Sequence, residues 1–330
     1  MTFSLSRRQW LQTGAALAAG IASGSSFANK PWPTGQNIRI IVPFPAGGVN
    51  DVVARQFAEL LAPVLQTSVI VDNKPGAGGS MGMDQLARSP ADGYTLAFSG
   101  ISTLTLLPHV MKVPYDPIKQ FAPIASTMYS PVYLLATKSF KGNNVADVLA
   151  AAKANPKGVT IASSGYGTLG HIMIEQLTRQ TGANLVHVPY KGGSQMITDA
   201  AGGQFDLMVA NPFAPINALI ADGKLRVLAV TGPERAAGFP KVPTLGELGY
   251  HSANLTSLFG FYTTGGTPDA VVQRLNHEIN TLLTHKDLQD KLRALDNIPL
   301  TMGADKFQAL IHKEWEANGK VVREANIQAQ

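Results

Sequence analysis

From residue 38 onward the chain alternates short apolar runs with stretches of helical period, and glycine-rich turns punctuate the alternation. This pattern constrains the fold most, because strands buried on both faces of a parallel sheet read as continuous apolar runs joined through helices. Residues 38–44 are one such run, and Pro45-Ala46-Gly47-Gly48-Val49 breaks it. A helix is predicted over 51–65, with Val53, Phe57, Leu60, Leu61 and Val64 on one face. Asn50 is placed to cap it and Asp51 to complement its dipole. Residues 68–72 predict a second strand, Pro75-Gly76-Ala77-Gly78-Gly79 a turn, Ser80 the start of a helix, and 94–99 a third strand. That order is the β-α-β-α-β signature of a doubly wound sheet.

The pattern then restarts. A helix over 145–155 and a strand over 159–162 lead into Ser163-Ser164-Gly165-Tyr166-Gly167-Thr168, followed by a helix to about Thr181. Strands are predicted at 185–188, 206–209 and 226–230, with helices between them. Thr267-Pro268-Asp269 opens another helix, and two more cover about 287–295 and 304–326. No low-complexity linker separates the halves. The expectation is two α/β lobes joined by ordered crossing segments near 131–137 and 258–264, with the C-terminal helices returning to the first lobe.

Each half therefore presents a glycine-rich turn at the carboxyl end of a strand and the N-terminus of a helix. Backbone N–H groups and the helix dipole favour an anion there. Two such turns facing across a cleft can hold a carboxylate from both sides.

Other chemistries are poorly supported. Hydrophobic residues make up 45% and charged residues 15%, which allows a packed core and argues against disorder. The formal net charge is +5, of which Arg7 and Arg8 supply two, and the basic residues are scattered rather than clustered. That gives no footprint for nucleic acid. The chain has no cysteine, which excludes disulfides, thiolate metal sites and a cysteine nucleophile. The seven histidines include no i, i+4 pair and no H-E-x-x-H, so no metal is expected. Gly165-Tyr166-Gly167-Thr168-Leu169-Gly170 matches G-x-G-x-x-G, but the following strand ends in His187-Val188-Pro189-Tyr190-Lys191 with no acid. A dinucleotide, or any other cofactor, is not expected. Ser163 and Ser164 lie near His171 in sequence, without a G-x-S-x-G elbow. Lys191 reads equally as a cleft cation or a solvated loop residue.

The N-terminus reads as an export signal. Ser6-Arg7-Arg8-Gln9-Trp10-Leu11 fits the twin-arginine pattern, a weakly apolar stretch follows to Asn29, and Ser26-Phe27-Ala28 offers small residues for cleavage. Residues 1–28 are expected to be removed.

These segments resemble the receptors of tripartite tricarboxylate transporters, or Bug-type binding proteins. The resemblance rests on residues 40–48 with Asp51, Ala54 and Arg55; on 72–79; on Asp92-Gly93-Tyr94-Thr95-Leu96; on Pro114-Tyr115-Asp116-Pro117; on 162–168 with His171; on 187–192; on Gly223-Lys224-Leu225-Arg226; and on Val242-Pro243-Thr244. It implies the two-lobed periplasmic binding protein fold, with residues 29–130 plus 260–330 in one lobe and 131–259 in the other. It implies a non-enzymatic, monomeric periplasmic receptor that binds a di- or tricarboxylate, an acidic amino acid or an aromatic acid and serves membrane permease subunits. A ligand-loaded sensor partner, or an enzyme using the same cleft, stays open as an alternative. The implied ligand residues are Phe44, Ala46, Gly47, Gly48 and Asp51 in the first turn, and Ser163, Ser164, Gly167 and Thr168 in the second. Ser99, Gly100 and Ser102 complete the first lobe's face, and Lys191 and Asn211 the second's. Two positions depart from the family pattern: Leu258 stands where a Trp is usual, and Ala210 where many members carry an acid.

Overall fold

The computed structural model describes residues 32–328. The predicted export segment lies outside the described residues. Two mixed sheets organise the rest. The first lobe holds β1 (Ile38–Val42), β2 (Val69–Asn73), β3 (Thr95–Gly100), β4 (Phe121–Ser130), β10 (Ser257–Thr264) and β11 (Ile298–Pro299) in the order β11-β4-β10-β3-β1-β2. The second holds β5 (Tyr133–Ala136), β6 (Val159–Ser163), β7 (Leu185–Pro189), β8 (Leu207–Ala210) and β9 (Arg226–Val230) in the order β7-β6-β8-β5-β9. The strands predicted as a doubly wound core are parallel: β2-β1-β3 in one sheet and β7-β6-β8 in the other. Antiparallel β10, β4 and β11 extend the first sheet, and antiparallel β5 and β9 the second.

Alternation along β5 shows how the second lobe packs both faces of its sheet. Leu134 and Ala136 join a core with Val148, Ile161 and Leu177, while Tyr133 and Leu135 join the opposite core with Met196, Met208 and Ile216. In the first lobe Phe57, Phe98 and Phe261 form a fully buried aromatic cluster, with ring centroids 4.8–6.4 Å apart. Such edge and tilted contacts add to the burial itself.

Three helices carry the site. They are α1 (Val49–Leu65), α6 (Leu169–Thr181) and α7 (Gly193–Gly202). Two further helices are α4 (Leu107–Val110) and α11 (Ala304–Ala325). α11 packs against the first sheet's side, where Asn318 Nδ2 donates to Thr105 Oγ1 at 3.2 Å. It also reaches the second lobe, where Arg179 Nη1 of α6 donates to the Glu324 carbonyl at 2.6 Å.

The chain crosses between sheets at Pro131–Val132 and again between β9 and β10. The crossings brace each other: Val132 N donates to Thr231 Oγ1 at 2.8 Å, and Thr231 N to the Val132 carbonyl at 3.0 Å. The segment expected to cross at 258–264 is instead β10, a central strand of the first sheet with all eight residues buried. The sequence boundary at 259/260 falls inside it. Among the described residues no helix is long and apolar enough to cross a membrane.

Candidate functional site

Three strand-to-helix turns meet between the lobes: β1 to α1, β6 to α6, and β7 to α7. They enclose a cavity of about 80 Å³, enough for a carboxylate group or a few waters. Gly48, Val49 and Asn50 reach it from the first turn, Thr168, Leu169 and Gly170 from the second, and Gly193 from the third. Each helix N-terminus carries unpaired N–H groups and partial positive charge, so three dipoles converge on one small space. None of the side chains lining the cavity is charged. Phe44, Met196, Phe213 and Phe259 give it apolar walls, and Ser102 and Ser164 bring hydroxyls. The arrangement suits an acid held by backbone dipoles with a short hydrocarbon body.

The first turn is held from behind. Asp51, buried to 4% exposure, accepts from Gly47 N at 2.9 Å and pairs with Arg55 Nη2 at 2.9 Å. Asn73 Nδ2 donates to the Phe44 carbonyl at 3.1 Å. Burial works against the Asp51 charge, but hydrogen bonds from Arg55, Gly47 and Asn73 outweigh it and hold the carboxyl below its usual range. Gly48, not Asn50, caps α1. Asn50 instead lines the cavity at 8% exposure, and its Oδ1 has no hydrogen-bond partner.

The second turn rests on two imidazoles, His171 buried and His187 half-buried. His171 and His187 stack with centroids 4.6 Å apart, and Tyr166 stands edge-on to both. Ser163 Oγ and His187 Nε2 share a hydrogen bond at 2.7 Å, and Gly167 N donates to His171 Nδ1 at 3.3 Å. Burial, then the charge of His187, pulls the His171 pKa down to about 3; burial pulls His187 down to about 4. Both stay neutral at ordinary pH. Glu175, its carboxyl raised by burial, lies 3.7 Å from His171 Nε2. His187 Nδ1 has no partner, so no third group orients the Ser163–His187 pair as a nucleophile and base require.

The lobes touch. Ser194 Oγ donates to the Ala46 carbonyl at 2.6 Å. At Gly192, a Cβ would stand 2.3 Å from Pro45 Cδ; at Gly167, 2.2 Å from Leu107 of α4. Only glycine lets the surfaces approach this closely, and both positions have positive φ.

The tripartite tricarboxylate transporter family receptor (TctC) model matches residues 53–327. The chain belongs to that family. BugT of Bordetella pertussis is 33% identical over 93% of each chain. Periplasmic binding protein BugD is 30% identical at a TM-score of 0.84, covering 90% of this chain and 100% of that one. Rpa4515 of R. palustris, solved with adipate, gives 30% and 0.85 over the same shares.

Within this receptor scaffold, Phe44, Gly48, Gly100, Ser102, Ser164, Thr168 and Asn211 line the cavity, while the other expected residues stand outside its wall. Ala46 and Gly47 are exposed, with the Ala46 carbonyl engaged by Ser194 and the Gly47 N–H by Asp51. Asp51 faces the turn and Arg55. Ser99 is fully buried beside Thr103, Ser163 beside His187, and Gly167 packs on Leu107. Lys191 is exposed. The Thr168 hydroxyl donates to the Gly165 carbonyl at 2.7 Å and accepts from His171 N, so its backbone is what it offers the cavity. Asn211 Nδ2 donates to the Pro131 carbonyl and to Ser257 Oγ, both at 3.0 Å, and braces the crossing. Asn50 and Gly193 were missed by sequence reasoning. Gly192-Gly193 directly before a helix was the available signal for the third turn.

Proposed function

We propose that the mature chain is an exported periplasmic receptor that captures a small carboxylate between its lobes and hands it to membrane permease subunits. The observation that carries this reading is the convergence of three helix N-termini on a cavity whose lining side chains are all uncharged. Rpa4515, a similar structure, was solved with adipate, which supports a carboxylate here. Residues 1–28 are the removed signal. Residues 29–130 with the C-terminal part form one lobe and 131 to the second crossing the other, so that ligand contacts to both lobes favour closure. The receptor works as a monomer and without catalysis: neither Ser163 nor His187 lines the cavity, and among the described residues no third group orients the pair.

A thermal-shift series of mono-, di- and tricarboxylates on the mature chain tests this. At about 100 times its Kd, a true ligand adds roughly 2.7 kcal/mol of stability. No shift with any acid in the series overturns the reading.

A further inference from the structure

The cavity at the helix N-termini has room for a carboxylate group and little more, so the body of a longer acid must lie elsewhere. A chamber of about 870 Å³ stands beside it. That volume is usual for a small-molecule site, at roughly 300–1,000 Å³. Four residues line both spaces: Gly100 and Ser102 from the first lobe, Leu169 from the second, and Ser257 where the second crossing enters β10. The partition is therefore a single residue thick at these points, and all but Leu169 are small. At Gly100 a Cβ would meet nothing nearer than 3.7 Å. Packing does not demand a glycine there, and its effect is to leave the junction open.

The chamber's walls are chiefly apolar. Leu106 and Leu258 are buried in them, and Ile101, Leu169, Leu255 and Leu310 are half-buried. Apolar surface of this kind, drawn from both lobes onto one space, gains by being covered. The charged side chains around it are Glu234, Asp296 and Glu314 against Arg235 and Arg293. Asp296 is engaged, accepting from Tyr133 OH and from Gly238 N. Arg235 is held by Glu247 at 2.9 Å. Glu234 and Glu314 then stand against Arg293 alone, so the chamber offers a second carboxylate no positive field. The helix N-termini of the small cavity do favour an anion, and its lining side chains carry no charge of their own.

We propose that the two spaces form one elongated site, and that its ligand is a monocarboxylate with an extended apolar body. The carboxylate sits at the three helix N-termini. The body passes between Gly100, Ser102 and Leu169, and the leucines and Ile101 of the chamber cover it. A dicarboxylate of the same length would bring its far charge among apolar walls and unpaired acids, where desolvation and like-charge repulsion both oppose it. This assignment rests on the receptor reading and adds to it the class of acid.

The test is calorimetry on the mature chain with butanoate, octanoate and octanedioate. Octanoate should bind at one site per chain and at least about tenfold more tightly than butanoate, a difference of about 1.4 kcal/mol. Its four further methylenes allow this, at up to about fourfold each when buried. Octanedioate should bind at least about tenfold more weakly than octanoate. Gly100→Val narrows the junction at a position where a Cβ fits, and Leu310→Gln makes one wall polar while keeping a good helix former on α11. Each should collapse the octanoate-to-butanoate affinity ratio toward one, and melting temperatures of the unliganded variants confirm that they fold. Octanoate no tighter than butanoate, octanedioate as tight as octanoate, or a ratio that neither variant moves overturns the proposal. In each of those cases butanoate still binds and the receptor reading stands. Failure of the receptor reading looks different: none of the three acids binds, and the proposal falls with it.

Discussion

Ser194 Oγ donates to the Ala46 carbonyl at 2.6 Å, tying the first turn of α7 to the turn before α1 across the cleft. The bond joins the turns that bring two of the three helix N-termini to the small cavity, so it exists only while the lobes touch. Ser194→Ala should therefore leave the unliganded melting temperature near wild type and weaken carboxylate binding by about 2–13-fold, the equivalent of 0.5–1.5 kcal/mol. Stopped-flow dissociation should carry most of the change.

Gly192→Ala should block closure, because the new Cβ meets the Pro45 ring at 2.3 Å. Binding should fall by more than about tenfold, a loss above roughly 1.4 kcal/mol. Pro45→Ala in the same chain removes the obstructing ring atoms and should restore part of the affinity. Calorimetry on the single and double variants checks this, and absence of any rescue would assign the effect to backbone strain alone.

Thr168→Val should act on stability before ligand affinity. The hydroxyl caps α6 at His171 N and closes the turn on the Gly165 carbonyl. Losing such a cap costs about 0.5–2 kcal/mol, measured by urea unfolding of the unliganded protein. Gly47 behaves differently: a Cβ there has only Ser194 Oγ at 3.8 Å, so Gly47→Val acts through its φ of +81° rather than by obstruction.

The stacked imidazoles predict an acid-sensitive stability. Their folded pKa values, about 3 and about 4, lie below the unfolded value near 6.5. The unfolded chain therefore binds more protons between about pH 6.5 and 4. Their contribution is complete above about pH 6.5 and is lost as pH falls, with a slope of about one to two protons. His187→Gln should flatten that slope in denaturation curves recorded across the window.

Much of this is legible in the sequence. The runs that became β1, β3 and β6 are mostly apolar, and β1 and β6 lead into glycine-rich turns, so their burial and the place of those turns at the cleft follow from the sequence. β4 and β10 were harder. Ser257-Leu258-Phe259-Gly260-Phe261-Tyr262-Thr263-Thr264 contains a glycine that admits the Phe307 ring and the Ala125 carbonyl, where a Cβ would come within 2.7 Å of both. Its central position depends on those distant partners. Asn50 reads as a cap by local rules, yet Gly48 takes the cap and frees Asn50 for the cavity. The Ser163–His187 bond was illegible for a related reason: the nearest histidine in sequence, His171, is not the partner of Ser163.

Asn50→Asp places a carboxylate where three helix N-termini converge and should reduce acid binding by at least about tenfold through like-charge repulsion. Calorimetry at constant ionic strength reads it directly.

The central claim is that backbone dipoles, rather than a charged side chain, select an anion in the small cavity. Calorimetry of the best-binding acid against its uncharged amide, on the wild-type mature chain at pH 7.5, tests it most directly. The account predicts that the amide binds at least about a hundredfold more weakly, a difference of roughly 2.7 kcal/mol. Equal affinity for acid and amide would contradict it.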